Sequence, residues 1–385
     1  MPFYYTSHGK PAPNKFVIAA RRIYRPLGFQ RGYTFPLWLI FGFGSLIFCA
    51  GHARLLDHEG VYKDRNYITG DWEVMRHGMG KISFVTHLAA VIPIGILLPF
   101  QFLPVVRHKY MLWHRVAGHI LTVLLLIGNV GAVMLADKAM GGPFDLRVVI
   151  YAVAGMSTVS LLLAWVNIMR LQIDQHRAWM LRAWFYSFII VAQRYIHVAV
   201  VDWVTYHGPF YVPMSCHTID FVLRLYEPGL APTFYPECAD QPDRVIPVLA
   251  NRYPAPNEQG LLPLQEISAS FRFTLAPTLL ISFFLHAVGV EIYLNLTGHE
   301  AKRLRKISYR KQLAKGWSRP GNASWLTPEI WGDMGEESET TVEDHKSRAN
   351  GKPLNGTPSK EEKSTDVVTD RTSLIDGKPI KSRNY

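Results

Sequence analysis

Two stretches decide the fold: ISFVTHLAAVIPIGILLPFQFLP at 82–104 and HRVAGHILTVLLLIGNVGAVMLA at 114–136. Each matches the roughly 20 apolar residues that a helix needs to cross a bilayer. Apart from Arg115 at the start of the second, neither contains Asp, Glu, Lys or Arg. Comparable apolar runs lie outward from them at 35–53, 147–169, 177–203 and 270–296. A soluble domain rarely carries more than one such run, so the chain reads as an all-α polytopic membrane helix bundle with about six transmembrane helices. The mean hydropathy of +0.06 averages this apolar region with a polar segment from 298 to 385. Pro93 and Pro99 predict a kink in the second helix. Gly42 and Gly44 in the first helix, and Gly128 and Gly131 in the third, would let neighbouring helices approach closely.

Charge orients the bundle. The 385-residue chain carries 41 Lys+Arg against 30 Asp+Glu, a formal net charge of +11. The basic residues flank apolar runs rather than forming a nucleic-acid motif, so no nucleic-acid partner is expected. Residues 1–34 hold Lys10, Lys15, Arg21, Arg22, Arg25 and Arg31 and no acid. Arg107, Lys109 and Arg115 lie around the second loop, and Arg170 and Arg177 lie around the fourth. Lys302, Arg303, Arg305, Lys306, Arg310, Lys311 and Lys315 follow the last helix. Six helices put all four basic segments on one side, which the positive-inside rule makes the cytoplasm, with both termini there. The division is then 1–34, a basic cytoplasmic segment; 35–296, the bundle, including a long lumenal loop at 204–269; and 297–385, a cytoplasmic basic segment and tail. No cleavable leader is visible, so the first helix is expected to serve as the targeting signal. The membrane is expected to be the endoplasmic reticulum, another secretory-pathway membrane or the plasma membrane. The tail's Gly/Ser/Thr/Lys/Glu composition predicts disorder. Lys302–Lys315 reads either as a stop-transfer cluster or as a segment lying on anionic headgroups.

The long loop holds Cys216 and Cys238 among seven acids, and an oxidising compartment would join them in a disulfide. No C-x-x-C pair, phosphate-binding loop, nucleophile elbow or H-E-x-x-H motif occurs. The chemistry must come from polar residues within or beside the helices. His114-Arg115-Val116-Ala117-Gly118 opens the third helix, and His176-Arg177-Ala178-Trp179-Met180-Leu181-Arg182 opens the fifth. Both lie at the basic side, where a helix start beside Arg favours carboxylate or phosphate. Basic residues are ordinary at such ends; the repetition of His-Arg is the more specific signal. Arg194 lies deep in the fifth helix, and a charge at such depth is a functional candidate unless it snorkels. Tyr186, Gln193, Arg194 and His197 are spaced to share a helix face. Depth pairs His87 with His197 near one surface and His114 with His176 near the other.

These residues carry a resemblance. His87, Leu98-Pro99-Phe100-Gln101-Phe102, His114-Arg115-x-x-Gly118 and His176-Arg177-x-Trp179-Met180-x-Arg182 resemble the membrane-protein family called domain of unknown function 2306, over about Gly80 to Tyr195. The family implies a membrane architecture and no activity. The histidine pairs are also similar to the arrangement of the cytochrome b561 class, although the full ligand spacing of that class is not matched. That similarity implies haem b. His87, His197, His114 and His176 would ligate iron, and Arg115, Arg177 or Arg182 would neutralise propionates. The leading expectation is therefore a haem-b membrane oxidoreductase or electron carrier with an electron donor as partner. Two alternatives stand beside it. One is a cofactor-free membrane enzyme acting on a lipophilic small molecule through Arg194, His197, His87 and Asn129. The other is a transporter using the same cluster.

The orientation has a direct test. Asn322-Ala323-Ser324 and Asn355-Gly356-Thr357 are glycosylation acceptors in the tail. A cytoplasmic tail never meets the lumenal transferase, so mass spectrometry of native tail peptides is expected to find both asparagines bare. A glycan on either would reverse the orientation.

Overall fold

The structure, a computed structural model, describes residues 15–29 and 34–316. The expectations for Lys10, Arg31, the tail and its two acceptor asparagines lie outside the described residues. An amphipathic helix, α1 (Lys15–Tyr24), precedes the first span, α2 (Thr34–Leu56). A short helix, α3 (Asp71–Met75), leads into the second span, α4 (Gly78–Gln101). One turn of helix, α5 (Pro104–Lys109), joins it to α6 (Met111–Ala136). The fourth span is α7 (Phe144–Met169). The fifth consists of α8 (Ile173–Ser187) and α9 (Ile189–His207), and the sixth is α10 (Leu264–Leu296). A basic helix, α11 (Gly298–Ala314), follows. Among the described residues six helices are long and apolar enough to cross a membrane.

The span ends differ from the sequence reading by a few residues. The second helix stops at Gln101 rather than 104, because Leu103 is extended before Pro104 and Pro104 starts a new helix. The sixth starts at Leu264 rather than 270, because its first turns pack into the folded loop. The fifth is interrupted at Phe188, which hydropathy does not reveal.

Lipid offers no hydrogen bonds, so every polar atom in the bundle needs an internal partner. Pro99 lacks an N–H and leaves the Gly95 carbonyl without its helical donor. Ser45 Oγ on α2 donates to that carbonyl at 2.9 Å. One turn on, Trp38 Nε1 donates to the Pro99 carbonyl at 2.9 Å. A methyl group on Gly131 would lie 2.8 Å from the His87 backbone nitrogen, so this glycine lets α6 touch α4. Gly42 plays a similar part against Pro99, whereas Gly44 faces open space.

The α9–α10 seam is polar. Gln193 Nε2 donates to Thr278 Oγ1 at 3.1 Å, His197 Nε2 meets Thr274 Oγ1 at 2.8 Å, and Ser282 Oγ donates to the Ile189 carbonyl at 2.7 Å. Tyr186, Gln193 and His197 are buried, but Arg194 is exposed, turned off this seam. The shared face expected for all four therefore holds for three. One residue is about 100° of helix turn, and the seam takes Gln193 rather than its neighbour.

The surface opposite the basic segments is a folded cap. Strands β1 (Tyr211–Ser215) and β2 (Val245–Leu249) pair antiparallel, with Tyr211 opposite Leu249 and Ser215 opposite Val245. A disulfide joins Cys216 to Cys238, and both cysteines lie in a buried core with Ile219, Val222, Val248 and Ala269. Arg272 of α10 fastens the preceding turns to this cap. Its Nη2 and Nε donate to the Thr69 carbonyl at 2.9 and 3.2 Å. Its guanidinium lies against Gly70 and Gly141, where an added Cβ would come within 2.7 Å of it. Both glycines have positive φ, at 76° and 82°. Buried Asp71 accepts from the Met140 N–H at 2.7 Å, joining the same two turns. Burial pushes the Asp71 carboxyl up from its ordinary value, and the nearby Arg272 charge only partly opposes this.

Two measurements test the cap. Arg272→Met and Gly141→Val are each expected to lower stability by about 1–3 kcal/mol, through the freed Thr69 carbonyl and the filled guanidinium slot. Thermal unfolding in nanodiscs reads this, and unchanged midpoints would make the contacts incidental. Removing the disulfide by Cys216→Ala with Cys238→Ala is expected to cost up to about 3 kcal/mol by the same assay.

Candidate functional site

The corner between α4, α5 and α6 gathers three polar side chains at the basic surface: Gln101, Arg107 and His114. The first turn of α8 adds His176 and Arg177. The end of α10 adds Tyr293 and Thr297, and the start of α11 adds Glu300 and Arg303. Helix parity places all of these at one membrane surface, where the repeated His-Arg starts meet.

The neighbours of the two histidines favour different tautomers. His176 Nδ1 lies 2.9 Å from the Ala164 carbonyl of α7. A carbonyl only accepts, so Nδ1 carries the proton and neutral His176 presents a lone pair at Nε2. His114 is the reverse. The Gln101 amide satisfies its neighbours when its oxygen accepts from the Gly118 N–H at 3.1 Å and its nitrogen donates to His114 Nδ1 at 2.6 Å. Neutral His114 then carries its proton on Nε2. The two rings lie within electrostatic reach of each other and of Arg107.

The charge around them does not balance. Arg107 is half-buried, and its guanidinium makes no hydrogen bond or ion pair among the described residues. Burial, and after it the neighbouring Arg177, press its guanidinium below the ordinary value. The carboxylate in reach is Glu300, and Arg303 already holds it through bonds of 2.7 and 2.8 Å. That bond keeps Glu300 below the usual carboxylate range, and therefore ionised. Arg177 Nη2 donates to Thr297 Oγ1 at 2.9 Å and its guanidinium sits 5.7 Å from the Tyr293 ring centroid. Two arginines thus lie near one shared, already paired carboxylate. Such an excess of positive charge favours an anion.

The remaining sequence candidates go elsewhere. Arg182 pairs with Glu291 at 2.6 and 2.9 Å and lies 4.7 Å over the Trp179 ring, so it is spent on packing α8 to α10. Arg115 is exposed beside His114. His87 Nδ1 donates to the Gly128 carbonyl at 2.8 Å, in the α4–α6 seam. His197 is held in the α9–α10 seam. The expected His87–His197 pairing is not formed among the described residues, because each ring is fixed to a different neighbouring helix. Asn129 Nδ2 donates to Ser157 and Thr158, both at 2.9 Å, and ties α6 to α7. Arg194 lies within electrostatic reach of Asp71, His52 and His197.

Sequence reasoning counted Arg107 as a topology charge and quoted Gln101 without a role. The missed signal was their place on either side of the Leu103-Pro104 corner. Asp71 and Arg272 were also missed; a lone Arg two residues into the expected sixth helix was the available sign.

A family model described as "Predicted membrane protein (DUF2306)" matches residues 84–214, about a third of the chain. That segment contains Gln101, Arg107, His114, His176 and Arg177. "Ava biosynthesis cluster protein G" of Aspergillus versicolor is 30% identical over 131 residues, 30% of this chain and 38% of that protein. The match thus spans well under half of the relative's length. No solved structure matches the chain. What the likeness carries is an integral, multi-pass membrane protein whose matched segment includes most of the basic-surface site.

Proposed function

We propose that the protein is a membrane-embedded enzyme that relocates a proton next to a carbonyl on a lipophilic anion. The carrying observation is that His114, His176 and Arg107 lie within electrostatic reach of one another, with the two Nδ1 atoms held by different partners. In this reading Arg107 and Arg177 hold the carboxylate or phosphate of the substrate. The His176 Nε2 lone pair removes a proton from the carbon beside the carbonyl. The electron pair left behind moves onto the carbonyl oxygen, to which His114 Nε2–H donates, and the arginines stabilise that negative charge. The His176 imidazolium returns the proton to the γ-carbon of a substrate with a β,γ double bond, which shifts into the α,β position, so the C–H bond broken is replaced by the C–H bond formed. Atoms and electrons balance without a redox partner. A relative whose printed name places it in a biosynthesis cluster is in keeping with an enzyme on a biosynthetic route. The one-sided basic segments support a cytoplasmic setting for this surface.

The haem-b oxidoreductase reading has one observation in its favour: His176 and His87 are both anchored at Nδ1, as iron ligands commonly are. Against it, His114 accepts at Nδ1 and so turns a proton rather than a lone pair outward. A Soret band in the purified protein, lost in both His114→Ala and His176→Ala, would replace the first reading with this one.

Deuterium uptake from D₂O into a long-chain 4-oxo carboxylate, followed by mass spectrometry, tests the proposal. His176→Ala is expected to slow uptake by about 10²-fold or more, and Arg107→Gln to raise KM by roughly tenfold with a smaller change in kcat. Wild-type uptake in His114→Ala and His176→Ala would reduce both residues to packing. Nitrogen-15 NMR of labelled histidine is expected to show Nε2–H on His114 and Nδ1–H on His176.

A further inference from the structure

On the bilayer side of the same corner lies a groove of about 270 Å³, lined by Phe100, Val106, Tyr110 and Trp113. Phe100, Tyr110 and Trp113 are 42%, 60% and 41% exposed, so the groove is open at the surface. Aromatic residues are common at membrane interfaces, and exposure alone would mean only that. The register says more. Phe100 immediately precedes Gln101, Val106 precedes Arg107, and Trp113 precedes His114. Consecutive Cα atoms lie about 3.8 Å apart, so on each of α4, α5 and α6 a groove residue is the immediate chain neighbour of a site residue. The volume falls just below the roughly 300–1,000 Å³ range of pockets that enclose drug-sized ligands. It suits one chain rather than two.

We propose that this groove holds the apolar body of the ligand whose anionic head meets Arg107 and the His114–His176 pair. The ligand is then a single-chain amphiphilic anion, a long-chain carboxylate or phosphate, that enters sideways from the bilayer. The inference rests on the anion reading of the basic-surface site and adds the substrate class to it. Charge complementarity fixes the head, and continuity of the corner fixes the tail beside it. A neutral lipid chain would fill the groove equally well but gain nothing from Arg107.

Photolabelling of the full chain in nanodiscs separates these cases. The probes are dodecanoate carrying a terminal diazirine and the matching neutral alcohol. The carboxylate is expected to label Phe100, Val106, Tyr110 or Trp113, with labelling reduced roughly tenfold in Arg107→Gln. Val106→Trp, which fills the groove, is expected to abolish that labelling while butanoate still protects Arg107 from phenylglyoxal. Equal groove labelling by acid and alcohol, unchanged in Arg107→Gln, would make the groove a lipid slot and overturn the proposal. Arg107-dependent labelling outside the groove would also overturn it and leave the anion site standing. Failure of butanoate to protect Arg107 in the wild type would instead remove the anion reading itself.

Discussion

A bilayer interior supplies no hydrogen bonds, and the internal arrangement of this protein follows from that constraint. The Gly95 carbonyl, released by Pro99, is met by Ser45. His87 meets Gly128, Gln193 meets Thr278, and Ser282 meets the Ile189 carbonyl. Each of these contacts joins two helices, so satisfying the backbone and assembling the bundle are one process. Glycine and serine do here what large apolar side chains do in a water-soluble core, because helices gain little by hiding apolar surface from lipid. Among the described residues the Arg107 guanidinium makes no such bond, and it lies at the candidate site.

The same constraint shapes how the buried histidines are held. His197 spends its Nε2 on Thr274 and stitches two spans together. His114 and His176 spend only Nδ1, one as acceptor and one as donor, and leave Nε2 free in opposite states. Two rings in opposite states suit proton movement between neighbouring atoms, whereas a metal bound from both faces needs two equal lone pairs.

Hydropathy and charge made much of the fold legible. The six spans and the common basic surface follow from the sequence, since both depend on composition averaged over many residues. The interruption at Phe188 does not, because the apolar run continues through it. The cap was only a long loop in the sequence, because its short strands and helices are held by contacts made far apart in the chain. In the candidate site, the repeated His-Arg start pointed to His114 and His176, whose rings lie within electrostatic reach of each other. The His87–His197 pairing failed because equal depth says nothing about which neighbour a helix face meets. Gln101 and Arg107 were invisible as site residues because their meaning comes from the corner at Leu103-Pro104.

Arg272 also bears on how the molecule is made. The Thr69 carbonyl it binds lies 203 residues earlier, and Gly141 is likewise synthesised long before the sixth span. While the chain emerges, Asp71 and the Met140 N–H are already present to join the two turns, but the Thr69 carbonyl and the slot between Gly70 and Gly141 wait for the guanidinium. The cap is therefore completed only when the last span is packed. A nascent or truncated chain lacking that span keeps an open, polar-edged cap and is distinguishable from the finished protein by any factor that surveys that face of the membrane.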